Sequence, residues 1–294
     1  MTISSKKISR IKKMTLFDIV NYIILFLVVY ITFYPFWKIF VSSLSDPNAV
    51  LLNKVKWIPV GFTLGNYKVV FSNNNVLLSY WNTILYTTTG TAISLILTIT
   101  TAYPLSRKYF LGRNIYMKLV IFAMLFSGGL IPTFLVVKSL GFYNKIWSII
   151  IPGAINIGNL IVTRTFFMGL PDSLEESATI DGANDIQVLF RIYLPLSMPI
   201  IATMTLFYAV GHWNNYFGPL IYLNDKRKYP LQIFLRNILI SSDISQYQMQ
   251  DDIAVISTSI KYTVIIVTTV PILLVYPFIQ KYFVKGVMVG AIKG

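Results

Sequence analysis

The sequence predicts an all-α integral membrane protein with six transmembrane helices and both termini on the cytoplasmic side. Three observations point there. Hydrophobic residues make up 55% of the 294-residue chain and charged residues only 12%, about half the usual charged share, and the mean hydropathy is +0.65. Six apolar stretches each reach the roughly 20 residues that cross a bilayer at 1.5 Å rise per residue. The balance of 25 Lys and Arg against 11 Asp and Glu gives a net charge of +14, which in so apolar a chain suits an anionic membrane surface rather than nucleic acid. The chain has no cysteine, which excludes disulfides, thiolate metal sites and cysteine nucleophiles. No metal site is expected.

The first expected span, 16–41, is too long for a signal peptide and leads into Tyr34, Pro35, Phe36 and Trp37 instead of a small-residue cleavage site. The others are 84–105, 115–137, 146–168, 196–223 and 262–283. Orientation follows the basic residues. Lys6, Lys7, Arg10, Lys12 and Lys13 precede the first span; Arg107, Lys108 and Arg113 lie between the second and third; Lys281, Lys285 and Lys293 lie at or beyond the end of the sixth. Residues 1–15 and 284–294 then form cytoplasmic ends around a six-helix transmembrane domain over 16–283. Segments 42–83 and 224–261 become outer loops, although Lys54, Lys56, Lys68, Lys226, Arg227, Lys228 and Arg236 lie on them. Trp37, Trp81 and Trp147 fall at expected outer ends, as in an interfacial aromatic belt. No convincing internal repeat relates the two halves.

The most informative segment is the polar insert 169–195 between the fourth and fifth spans. It carries Asp172, Glu175, Glu176, Asp181 and Asp185 against Arg191, an acidic island in a basic chain. Ser173 and Glu176 have capping-box spacing for a short helix. Gly182 is the expected stop, because glycine tolerates positive φ. A second helix is expected from Asn184 or Asp185, with Ile186, Leu189, Phe190 and Tyr193 on one stripe and Pro195 at its end.

Glu176-Ser177-Ala178, Asp181-Gly182-Ala183 and the closing Ile192-x-Leu194-Pro195 resemble the EAA loop of ABC-importer permeases, with Ser177 in place of the first alanine. Ala102 to Arg107, Trp213-Asn214 and Pro219-Leu220 are similar to permeases of the maltose-transporter type. The stretches 126–132 and 285–294 resemble the polysaccharide or lipoprotein-type sugar permeases. The resemblance covers nearly the whole chain. It implies a type I importer fold in a bacterial cytoplasmic membrane. It also implies a second homologous permease subunit, two cytoplasmic ATPase subunits and an extracytoplasmic binding protein that delivers a carbohydrate. In that picture Glu176, Ser177, Ala178, Asp181, Gly182, Ala183, Leu189, Phe190, Ile192, Leu194 and Pro195 couple the chain to the ATPase, with Leu189 and Phe190 packed on the inner ends of the spans. The basic tail, Gly290, Lys293 and Gly294 included, makes a further ATPase contact. No G-x-x-x-x-G-K-[ST] phosphate loop occurs. No cofactor is therefore expected in this chain, and ATP and Mg would be held by the partner ATPase subunits.

Polar residues within spans usually face a cavity or the bundle interior. Asn156 and Asn159 in the fourth span and His212, Trp213, Asn214 and Asn215 in the fifth are the candidates for a substrate path. Asn amides suit sugar hydroxyls and Trp suits a sugar's apolar face; interhelical hydrogen bonding is the competing role. Arg164 is expected to reach toward inner headgroups and Lys38 toward outer ones. An ion-coupled secondary transporter is the main alternative, and such carriers usually hold carboxylates inside their spans. Here Asp18, at the edge of the first span, is the nearest case. A membrane-embedded enzyme would need acids, histidines or metal ligands clustered at one depth, and the chain has one His.

Overall fold

The structure is a computed structural model that describes residues 15–247, 259–274 and 277. It is helical throughout, with no strand among the described residues. The tail residues Gly290, Lys293 and Gly294, and the basic N-terminal cluster, lie outside the described residues.

The helices follow the apolar pattern, but not always as straight spans. Helix α1 covers Leu16–Ser43, starting at a reciprocal Thr15–Asp18 capping box. Short helices α2 (Pro47–Leu51) and α3 (Gly65–Ser72) follow. Helix α4, Asn74–Ser106, starts ten residues before the expected second span, inside what reads as an outer loop. Its first turns are only half apolar, which is why hydropathy alone stops short of them. Only α1 and α4 are single helices long and apolar enough to cross a membrane; three bent pairs raise the number to five among the described residues.

Breaks in the helices correct the straight spans expected over 115–137, 146–168 and 196–223. The third stretch divides into α5 (Arg113–Leu125) and α6 (Leu130–Ser139), 115° apart. The break falls at Gly129, whose φ of +80° is open mainly to glycine. The fourth divides into α7 (Trp147–Ile150), a 3-10 turn containing Pro152, and α8 (Ile157–Met168), with a 52° bend. In the fifth, α12 (Met198–Trp213) and α13 (Phe217–Tyr222) are separated by a break at 214–216. Helix α14 (Leu231–Tyr247) and α15 (Ser259–Leu274) complete the described chain.

Helix α4 is the axis of the bundle and packs against α12, α8 and α14. Its buried face runs through Ser79, Thr83, Gly90, Ser94, Thr98 and Ala102 at helical spacing. Small side chains let helices approach closely, and hydroxyls bond across them. Thr98 Oγ1 lies 2.6 Å from Tyr208 Oη, and Leu231 N–H donates to Thr83 Oγ1 at 2.8 Å. Thr88, Thr89 and Thr100 bond back to carbonyls of their own helix. The buried hydroxyls of Thr87 and Thr91 have no hydrogen-bond partner within the chain. Closest approach is at Gly90, where an added Cβ would stand 2.7 Å from the His212 ring.

At the end of α4 away from the insert, Asn82 donates to the carbonyls of Arg227 and Tyr229, and Tyr86 to that of Lys228. Trp37 donates to the Trp57 carbonyl at 2.9 Å and Lys38 to Asn53 at 3.2 Å, so both anchor the 42–64 segment; Trp81 and Trp147 are exposed. Helix α1 buries only Val41, Ser42 and Ser43.

Gly90→Leu should separate α4 from α12, because Leu cannot share space with the His212 ring. Overpacking of this kind costs about 1–3 kcal/mol. Thermal unfolding of the detergent-solubilised chain should show a lower midpoint than for Gly211→Leu, where no atom lies within 4 Å of an added Cβ.

Candidate functional site

The insert is built from local rules. Helix α9 spans Asp172–Ile180. It closes on Gly182, with φ of +82°. The Gly182 N–H donates to Thr179 O at 3.0 Å and the Ala183 N–H to Ala178 O at 2.9 Å, the paired bonds of a Schellman stop. Two residues later Asn184 caps α10 (Asp185–Val188) with a reciprocal Asn184–Gln187 box. The break and restart match the expectation at Gly182 and Asn184.

The start of α9 does not. Its N-cap is Pro171, and no side chain caps it. Ser173 and Glu176 form no capping box; Ser173 lies inside the helix, where its carbonyl accepts from Ser177 Oγ at 2.8 Å. The first-turn acids, favoured there by the helix dipole, are held from outside. Lys108 pairs with Asp172 at 2.8 Å on the surface, and Arg107 pairs with Glu175 at 2.6 Å in the interior. The Lys108 contact holds the Asp172 carboxyl below its usual range.

The single apolar stripe expected over Ile186, Leu189, Phe190 and Tyr193 also divides. After α10 the chain widens into a π-helical turn, Leu189–Tyr193, and then α11, Leu194–Leu196. The wider turn rotates successive side chains by less than the 100° of an α-helix. Val188, Leu189 and Tyr193 therefore enter the core while Ile186 and Phe190 remain exposed. Leu189 packs in the core cluster with residues of α4 and α8; Phe190, at 60% exposure, does not. Pro195 lies within α11, and the chain turns two residues later at Ser197, through 83° into α12.

Arg107, the C-cap of α4, unites these pieces. Its side chain is 4% exposed. Besides Glu175, it donates to the Phe167 carbonyl at 3.0 Å, to Ser106 Oγ at 2.9 Å and to Tyr193 Oη. Its guanidinium stands 4.5 Å from the centre of the Tyr193 ring, a cation–π contact. Tyr193 Oη donates to Glu175 at 3.2 Å, and Tyr109 Oη lies 2.8 Å from Glu175 and 3.2 Å from Asp185, its one proton serving one carboxylate at a time. Burial pushes the Tyr193 phenol up to about 12 and holds Tyr109 higher still. Both therefore remain proton donors at physiological pH. Around them Ala102, Tyr103, Leu160, Phe167, Val188, Leu189 and Tyr193 form one core cluster. Sequence reading placed Arg107 only as a basic flank and a family motif residue. Its four hydrogen bonds require partners from positions 106, 167, 175 and 193.

The expected coupling residues sort by face. Ala178, Ala183, Leu189, Ile192 and Leu194 pack on the bundle core. Glu176, Ser177, Asp181, Gly182, Phe190 and Pro195 are exposed. Beside them opens a cavity of about 1020 Å³, whose lining includes Lys108, Asp172, Glu175, Glu176, Thr179 and Asp185. Four acidic and two basic side chains stand in its lining, and Ile180, Ile186 and Phe190 extend exposed apolar surface around the insert.

The candidate path residues do not form one cluster. Asn156 is the N-cap of α8 and accepts from the Asn159 N–H at 3.0 Å, so the two lie at a bend and not along one helix face. His212 sits between α12 and α4, 3.4 Å from Ser94 Oγ. Trp213 is buried and donates to the Thr268 carbonyl of α15 at 3.2 Å. Asn214 is exposed and bonds Val210 O and Gln232. Asn215 Oδ1, just before α13, accepts from the Gly218 N–H at 3.2 Å. Arg164 donates to the Leu105 carbonyl at 2.8 Å.

The insert is thus riveted to α4 and α8 on one face and exposed on the other. The chain matches the family of binding-protein-dependent transport system inner membrane components over residues 58–289, and it belongs to that family of ABC-importer permeases. It is 46% identical to the polygalacturonan/rhamnogalacturonan transport system permease protein YtcP of Bacillus subtilis (strain 168), over 96% of this chain and all of that one. It is 48% identical to Protein LplC of the same organism, over 95% of both chains. A solved chain from a bacterial ABC transporter involved in the import of the acidic polysaccharide alginate superposes with a TM-score of 0.84 at 33% identity, covering 95% of this chain and all of that one.

Glu175→Ala should strand the buried Arg107 guanidinium and cost about 3–5 kcal/mol. Glu175→Gln, which keeps an acceptor, should cost less, and Lys108→Ala, which removes an exposed pair, should change little. Circular-dichroism melts of the three variants test this order; equal effects would deny Arg107 its structural role.

Proposed function

We propose that this chain is one of two transmembrane subunits of an ATP-driven importer. It moves a carbohydrate, an oligosaccharide released from a larger polysaccharide, from an extracytoplasmic binding protein into the cytoplasm by alternating access. The observation that carries the coupling part of this reading is the insert: one face is fixed to α4 and α8 through Arg107 and the core cluster, and the other presents Glu176, Ser177 and Gly182 to solvent. The carbohydrate class is supported by the names of the relatives above.

In this reading six spans cross a bacterial cytoplasmic membrane with both termini inside. Residues 1–15 and 284–294 are cytoplasmic, 16–283 form the permease domain, and 42–83 and 224–261 face the binding protein. Helix α1, whose apolar window is unburied within this chain, is left for lipid and the second permease subunit. The insert docks on a cytoplasmic ATPase subunit, with Glu176 opposite a basic group there. Closure of the ATPase pair then swings α4 and α8 as rigid levers between two packed states. ATP and Mg stay with the ATPase subunits. The tail residues Gly290, Lys293 and Gly294 add a second contact. Of the polar span residues, His212, Trp213 and Asn215 serve helix packing and backbone bonding. Asn156 and Asn159 at the α8 bend are the better-placed sugar contacts.

Glu176→Lys and Gly182→Asp should abolish uptake of labelled oligosaccharide while the chain stays in the membrane at normal level. Proteoliposomes holding the whole complex, with neutral and uronate-containing oligosaccharides as cargo, provide the measurement. Normal uptake with normal coupled ATP hydrolysis in both variants would sink the assignment of the insert, and uptake without ATP would sink the ATP-driven reading.

A further inference from the structure

A second arginine cluster has chemistry that the coupling network does not use. Helices α4, α5 and α8 enclose an apolar groove of about 510 Å³. Its lining follows one face of each helix. Tyr116, Val120 and Ala123 lie three, seven and ten residues beyond Arg113 on α5; Leu160 and Ile157 lie four and seven residues before Arg164 on α8. These are the spacings of residues stacked on a single helix face. The two arginines thus sit at the same end of the groove, the insert end, one turn beyond its apolar floor.

They are differently placed from Arg107, which has a full set of partners. Arg113 Nη1 is buried and has no hydrogen-bond partner. Arg164 spends its Nε on the Leu105 carbonyl, itself part of the groove wall. Among the described residues neither forms an ion pair, and Asp172 and Glu175 are taken by Lys108 and Arg107. Two like charges at the end of an apolar groove, with a buried unpaired N–H, call for an anion.

We propose that this groove binds an anionic phospholipid. The phosphodiester headgroup bridges Arg113 and Arg164, and one acyl chain lies along the floor toward Ala123. Arginine suits a phosphate because its planar fork presents several donors at once. The floor extends from Arg113 to Ala123, about 15 Å at helical rise. Phe110 and Tyr116 stand near the arginine end, the level at which aromatic side chains meet headgroups. Basic pockets between membrane helices on the cytoplasmic side are suited to such lipids. The inner-leaflet assignment rests on the orientation proposed above; the site itself does not.

The test uses the chain purified with its partner subunits, stripped of lipid and then titrated with phosphatidylglycerol or phosphatidylcholine under native mass spectrometry. Wild type should retain phosphatidylglycerol in preference. The double variant R113Q/R164Q should retain it roughly tenfold less or lower still, the scale for two cations beside an anionic headgroup. R113K/R164K should restore most retention, and Ala123→Trp should lose it with both charges intact. Unchanged melting midpoints verify folding of each variant. Equal retention of the two lipids, or undiminished retention by R113Q/R164Q, overturns the proposal. So does a photocrosslinker at position 123 that labels the second permease subunit instead of lipid.

Discussion

The arrangement of the insert depends on one constraint, the burial of the Arg107 guanidinium. A cation taken out of water is tolerated only when every N–H finds an acceptor and a countercharge lies close. At the end of α4 those partners come from four places in the chain: Ser106 beside it, the Phe167 carbonyl at the end of α8, Glu175 on α9 and Tyr193 in the π-helical turn. Satisfying one side chain therefore fixes the ends of two spans and both halves of the insert relative to one another. The π turn belongs to the same constraint, because it directs Leu189 and Tyr193 inward together. The insert hangs from the bundle as a rigid piece rather than as a loop.

That rigidity contrasts with the bundle above it. Helices α5–α6, α7–α8 and α11–α12 are bent pairs, each broken where glycine, proline or a capping residue ends the ladder. Broken backbone at membrane depth is tolerated only where protein or a cavity satisfies the freed groups. The straight, small-faced α4 supplies the common surface against which α8 and α12 pack. A rigid insert coupled to one straight helix, with bent helices around it, is suited to transmitting a displacement applied at one end of the bundle.

Local chemistry was legible wherever neighbours in sequence complete it. Gly182 as a stop and Asn184 as a restart need only residues within a few positions, and both appear where the sequence placed them. The capping box at Ser173 and Glu176 had the right spacing but lost to a start two residues earlier, where Arg107 and Lys108 hold the first-turn acids. The stripe through Phe190 assumed an α-helical period that the π turn does not keep. Asn156 and Asn159 share a helix face only if the helix continues through Ala154, and it does not.

The sequence by itself determined the class of the protein. Apolar runs of bilayer length, too few charges to cover a soluble surface and one acidic insert are properties of composition and short-range order, so they survive any arrangement of the helices. Tertiary structure alone decided which apolar runs stay straight, which half of the insert stripe is buried, and that Arg107 joins the insert to α4. Those outcomes rest on hydrogen bonds and an ion pair between residues 60 or more positions apart, beyond the reach of any local pattern.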